Sequence, residues 1–128
     1  MQDFYWFILV TLSNGLILLV LAINVSRLRI KNQIGRGDGG NVDLIKAISA
    51  HANGTEQVPI FSLIILSLEF TTATNALLAF LVVTFTVSRL SHAYGMLYKT
   101  PILVRIGAGT TYATQAIAII SLMINLNA

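Results

Sequence analysis

The chain contains no cysteine, so disulfides and thiolate metal sites are excluded and no redox compartment is signalled. Charge is scarce too. Lys, Arg, Asp and Glu make up 10% of the 128 residues, where a soluble domain carries about 25%. Hydrophobic residues reach 55%, and the mean hydropathy is +0.79. An ordinary soluble domain is thereby excluded, and an integral membrane protein is implied. No nucleic-acid partner is expected. Internal repeats are also missing. Four helices without an inverted repeat make a poor transporter unless the chain oligomerises.

What is present is a series of long apolar runs. The first, FYWFILVTLSNGLILLVLAINV, covers Phe4 to Val25 without a charge. At 1.5 Å per residue it spans about 33 Å, enough for a bilayer core of roughly 30 Å. Its apolar stretch is too long for a signal peptide. No basic segment precedes it, and no small-x-small cleavage site stands out. It reads as a retained helix with an aromatic belt at Phe4, Tyr5, Trp6 and Phe7. Three more helices follow. The chain therefore reads as one domain over 1–128, with helices at about 4–25, 43–70, 75–98 and 101–125. The fold class expected is an all-α four-transmembrane-helix bundle. The second helix, at about 42 Å, outruns the bilayer core, so its front end should reach water.

Turn signals separate these helices. Asp43 is placed to cap the second helix and Asn75 the third, while Pro101 suits the first turn of the fourth. The one long loop, over 27–42, is Gly-rich and expected to be mobile. Within it GRGDGG fits a G-x-G-x-x-G pattern through Gly35, Gly37 and Gly40. With no strand before it and no room for a βαβ unit, a dinucleotide site is excluded.

The eight basic residues are Arg27, Arg29, Lys31, Arg36, Lys46, Arg89, Lys99 and Arg105. All lie in the first and third loops, or in the helix ends beside them. The opposite ends, near Asp3, Glu69 to Asn75 and Asn125 to Ala128, hold none. The positive-inside rule puts both loops in the cytoplasm and both termini outside. Anchoring to lipid phosphates accounts for Arg27 to Arg36.

Anchoring does not account for His51, Asn53, Glu56, Arg89, His92 and Arg105. Arg89 lies about 13 Å inside the end of its helix. A charge within a span costs at least ~2.5 kcal/mol unless paired or wetted, so such groups turn inward and mark function. Asn53 and Glu56 are three apart on the second helix, Arg89 and His92 three apart on the third. Two readings stand at this point. Glu56 and Arg89 form a structural ion pair, or these groups line a polar pocket for an anionic or zwitterionic solute. Pro59 adds an expected kink, freeing the Thr55 carbonyl beside Glu56. A metal site is not expected. His51 and Glu56 are five apart, off-register for chelation on one helix, and no Cys or Asp joins them. A Ser/His/Asp hydrolase is excluded because no nucleophile elbow appears and no Asp reaches the histidines.

HANGTEQVP reads H-x-N-x-x-E-x-x-P in the second helix, SRLSHAY reads R-x-x-H in the third, and Arg105 follows the next turn. Over essentially the whole chain this resembles the MAPEG family, the membrane-associated proteins in eicosanoid and glutathione metabolism, and its bacterial members in particular. The resemblance implies a homotrimer in a bacterial inner membrane, with glutathione as co-substrate bound between subunits toward the cytoplasm. It implies an enzyme of glutathione S-transferase or peroxidase type acting on lipophilic electrophiles that enter from the bilayer. By motif, Asn53 and Glu56 would contact glutathione, with Arg89, His92, His51 and Tyr94 lining the cleft and Arg27 or Arg29 reaching a carboxylate. Arg105 would be the catalytic residue, stabilising the thiolate, since a thiol of pKa near 8.5 attacks faster beside a guanidinium. The alternative is a non-catalytic trimeric membrane protein that binds lipid or glutathione-like ligands in the same cleft.

Overall fold

The computed structural model describes residues 3–126; residues 1, 2, 127 and 128 of the expected domain, including the end of the outer tail, lie outside the described residues. Four helices follow in order: α1 (Tyr5–Asn32), α2 (Val42–Glu69), α3 (Asn75–Leu97) and α4 (Pro101–Leu126). No strand occurs among the described residues. By length and composition α1, α3 and α4 could each cross a membrane. α2 is as long as α1 at 28 residues, but its front half is polar. It is carried by its neighbours, since it packs against all three other helices.

α1 runs past Val25 to Asn32, because Arg, Leu and Lys are good helix formers and Leu28 is buried. It ends at Gln33, whose backbone is left-handed (φ 55°). The following loop does not run free. Arg29 folds over it and donates through Nη1 to the carbonyls of Gly37 (2.7 Å) and Ile34 (3.5 Å). Gly37, Gly39 and Gly40 all take positive φ, which suits glycine.

The caps fall one or two residues before the expected positions. Asn41, not Asp43, caps α2, its Oδ1 accepting from Leu44 N–H at 2.9 Å. Asp43 sits in the first turn, where the helix dipole favours an acid, and pairs with Lys46 at 3.5 Å. Thr74, not Asn75, caps α3 by accepting from Leu77 N–H. In both cases the capping side chain sits on an extended residue, and Asp43 and Asn75 are already helical. Replacing Asn41 with Ala should therefore lower stability by about 1 kcal/mol, read from thermal unfolding in detergent, with Asp43→Ala costing less.

α2 and α3 form the middle of the bundle. α1 packs on both, α4 packs on both, and α1 and α4 do not touch among the described residues. The main core lies where Phe61 of α2 stacks on Phe85 of α3, with centroids 3.7 Å apart and planes 4° off parallel. Val10, Ile65, Leu68, Leu81 and Ala118 close around them. The α2–α3 turn, the start of α1 and the end of α4 meet at one end of the bundle. There the Glu69 carboxylate accepts from the backbone N–H of Trp6 (2.9 Å) and Phe7 (3.1 Å). It thus satisfies the start of α1, which has no side-chain cap of its own. Trp6 Nε1 donates to Asn75, and Thr72 donates to Asn125.

α3 and α4 approach most closely at two glycines. A Cβ at Gly107 would lie 2.6 Å from the backbone nitrogen of His92, and one at Gly95 2.7 Å from that of Val104. Of the small residues on the fourth helix, Gly107 therefore sets the spacing, while Gly109 faces open space. α2 continues unbroken through Pro59, which lies on its exposed side.

Candidate functional site

The buried face of α3 near its C-terminal end carries Ser88, Arg89 and His92. Arg89 is only 3% exposed, at the junction of three helices. Its Nη2 donates to Asn53 Oδ1 on α2 at 2.7 Å. Its Nη1 reaches Thr111 Oγ1 on α4 at 3.5 Å. The Thr111 hydroxyl donates to the Gly107 carbonyl at 2.7 Å, which leaves its oxygen lone pair turned to the guanidinium. Two nitrogens remain buried without partners among the described residues: Arg89 Nε and His92 Nδ1. His92 is itself 5% exposed. A buried unmade hydrogen bond costs about 1–3 kcal/mol. The cluster thus holds a desolvated cation, two neutral acceptors and two unfilled polar positions.

Glu56 does not complete it. Among the described residues no ion pair joins Glu56 to Arg89, the first of the two readings above. Glu56 lies halfway along α2 on an exposed face shared with Ala52, Thr55, Pro59 and Ile60. Three residues on a helix differ in direction by about 60°. That offset turns Asn53 toward Arg89 and Glu56 outward.

The other candidates are spread out. His51 is half-buried one turn before Thr55. Arg105 is exposed in the second turn of α4. Arg27 donates to Asn24 at 3.0 Å on α1, and Arg29 holds loop carbonyls. Tyr94 is exposed, its ring against Tyr98 with centroids 4.5 Å apart. The fold thus brings together Asn53, Arg89 and His92. Among the described residues no hydrogen bond or ion pair joins Glu56, Arg105, Arg27, Arg29 or Tyr94 to them.

Thr111 escaped the sequence reading. Its signal is the stripe Gly107, Thr111, Thr114 and Ala118 at helical spacing, which is the buried face of α4. Two further polar bridges were also missed. Gln115 Nε2 donates to Gln57 Oε1 at 2.9 Å, tying α4 to α2. Asn14, fully buried, donates to Thr86 Oγ1 at 3.0 Å, tying α1 to α3. Such bridges hold helices together where apolar contact alone is matched by lipid tails.

These features define a class: a multi-pass helical membrane protein with a buried cationic cluster at a three-helix junction. The chain belongs to the MAPEG family, whose family model matches residues 7–125. It is similar to the inner membrane protein YecN of Escherichia coli K12, with 30% identity over 86 residues. That match covers 67% of this chain and 66% of YecN. YecN of an Escherichia coli O6:H1 strain matches to the same extent. The chain is accordingly an integral, multi-pass membrane protein of a family that includes glutathione transferases and peroxidases.

Proposed function

We propose that the protein is a glutathione-dependent membrane transferase or peroxidase acting on lipophilic electrophiles. The observation that carries this reading is the Arg89 cluster. A buried guanidinium with no carboxylate partner among the described residues, its own Nε and the nearby His92 Nδ1 unfilled, suits a peptide-like anion. A carboxylate of glutathione would accept from Arg89 Nε–H, and Asn53 would keep the guanidinium in place.

The remaining groups enter from a neighbouring subunit in a homotrimer. Glu56 stands exposed halfway along α2, with no ion pair among the described residues, a position that lipid disfavours by about 2.5 kcal/mol or more. A second subunit against this face would remove that cost. It would place Glu56 opposite the ammonium of glutathione and Arg105 beside its sulfur. The thiol then loses its proton to water, and the thiolate held by Arg105 attacks the electrophile. A carbon–sulfur bond forms as the leaving group departs with its electron pair. The basic residues, gathered at the end with the α1–α2 loop, favour a cytoplasmic side for this site under the positive-inside rule.

The test is conjugation of glutathione to a chromogenic electrophile by the purified protein. Arg105→Ala should slow the reaction about tenfold near neutral pH, the effect of about one unit in thiol pKa. A wild-type rate no higher than that of Arg105→Ala would remove the enzymatic reading. Calorimetry with glutathione alone then decides whether binding without turnover survives.

A further inference from the structure

Among the described residues α1 packs on α2 and α3 but not on α4, so one side of the α1–α3 seam is left open. A groove of about 670 Å³ runs along it, walled by Leu16, Val20, Val87 and Leu90. Its wall is almost wholly apolar, Ser91 and two tyrosines apart. Towards the loop end it continues into a second hollow of about 400 Å³ through the shared residues Val20, Leu21, Leu97 and Tyr98. This second hollow is half polar and half apolar, with Asn24, Arg27, Lys31 and Asp43 among its lining residues.

We propose that this continuous groove seats one phospholipid of the phosphatidylethanolamine type, independent of the Arg89 cluster. The dimensions fit. From Leu16 to Lys31 the groove follows α1 for about 22 Å, reaching from the middle of the apolar run to beyond its basic end. That is the depth of one leaflet with its headgroup, given a bilayer core of roughly 30 Å. The charges fit as well. Arg27 and Lys31 are four apart on one face of α1, so both face one phosphate. Asn24 accepts from Arg27 Nη2 at 3.0 Å and fixes the guanidinium at the rim. Asp43, across on α2, is exposed and offers a carboxylate to the headgroup ammonium; its other charge partner among the described residues is the half-buried Lys46, three residues on. A purely anionic headgroup would find the phosphate side favourable and Asp43 repulsive. The open apolar wall takes an acyl chain, whose packing there removes a gap that bulk lipid fills less well.

The experiment uses the full chain in nanodiscs of equal phosphatidylethanolamine and phosphatidylglycerol, followed by gentle detergent release and native mass spectrometry. Wild type should retain about one phosphatidylethanolamine per subunit. The double variant Arg27→Gln/Lys31→Gln should retain about tenfold less, the loss of charge-assisted contacts to phosphate. Leu90→Trp, a change on an exposed wall that fills the groove, should do the same with both basic residues intact. Asp43→Asn should shift retention toward phosphatidylglycerol. Equal retention by wild type and both groove variants would overturn the site as ordinary boundary lipid. Preference of wild type for phosphatidylglycerol would overturn the headgroup assignment. In a chain free of native cysteine, Leu90→Cys disulfide cross-linking between subunits would show that a second copy covers the groove, and would overturn the proposal.

Discussion

Arg89→Met is expected to weaken glutathione binding about 100-fold while leaving the protein folded. Arg89 is 3% exposed, and among the described residues its guanidinium meets only neutral acceptors, Asn53 and Thr111. Burying a charge carries a desolvation penalty of several kcal/mol, which an apolar side chain of similar size relieves. Against that stands the Asn53 oxygen, left without its donor at a cost of about 1–3 kcal/mol. The two nearly offset each other, so the unfolding midpoint in detergent should change little. Adding Asn53→Leu to the variant removes the orphaned acceptor and should raise it. Binding behaves differently. A carboxylate held by Arg89 loses a charged hydrogen bond and its counter-charge together, so affinity should fall about 100-fold, near 2.7 kcal/mol. Arg89→Lys keeps the charge but not the planar fork, and should fall between the two. Calorimetry with glutathione and thermal unfolding read the two effects separately. Wild-type affinity in the Met variant would mean that Arg89 serves the bundle alone. A large loss of stability with binding intact would point the same way.

Gly107→Ala should destabilise the protein and weaken the site together. The added Cβ would lie 2.6 Å from His92 N and 2.8 Å from the Ser88 carbonyl. Both are backbone atoms of α3, so no side-chain rotation relieves the clash and the helices must part. Overpacking of this kind costs about 1–3 kcal/mol. The intrinsic gain of Ala over Gly in a helix, roughly 0.5–1 kcal/mol, returns only part of it. Gly109→Ala is the control, because nothing lies within 4 Å of its Cβ. It should be neutral or slightly stabilising in lipid or detergent. Moving α4 outward at Gly107 also carries Thr111, one turn on, away from Arg89. Glutathione affinity should therefore fall in Gly107→Ala and not in Gly109→Ala. Equal unfolding midpoints for the two variants would show that the close approach does not bear on stability.

Much of the fold was legible before any coordinates. Composition and run length alone required membrane helices, and the turns at Asn41–Asp43, Thr74–Asn75 and Pro101 marked their starts within two residues. The family motif was legible too, and its match covers residues 7–125. Less was legible inside the bundle. Asn14 sits in a run that reads as featureless lipid-facing helix, yet it is fully buried and bonded to Thr86. Nothing in that run says which side of α1 turns inward, since apolar residues surround it on every face. Thr111 and Gln115 are similar cases on α4.

Glu56 and Arg89 divide the two kinds of information. Sequence spacing by itself determined that Asn53 and Glu56 lie near one another on one helix, and that Arg89 sits about two turns inside another. Both follow from the 3.6-residue period, which holds whatever the helices pack against. Which of the two polar groups meets Arg89 was decided only by tertiary structure. Gly107 draws α4 onto α3, and the Phe61–Phe85 stack sets the rotation of α2 against α3. With that rotation Asn53 faces in and Glu56 faces out, because about 60° around a helix is the width of one contact. Local periodicity cannot contain that angle; it is a property of two packed surfaces.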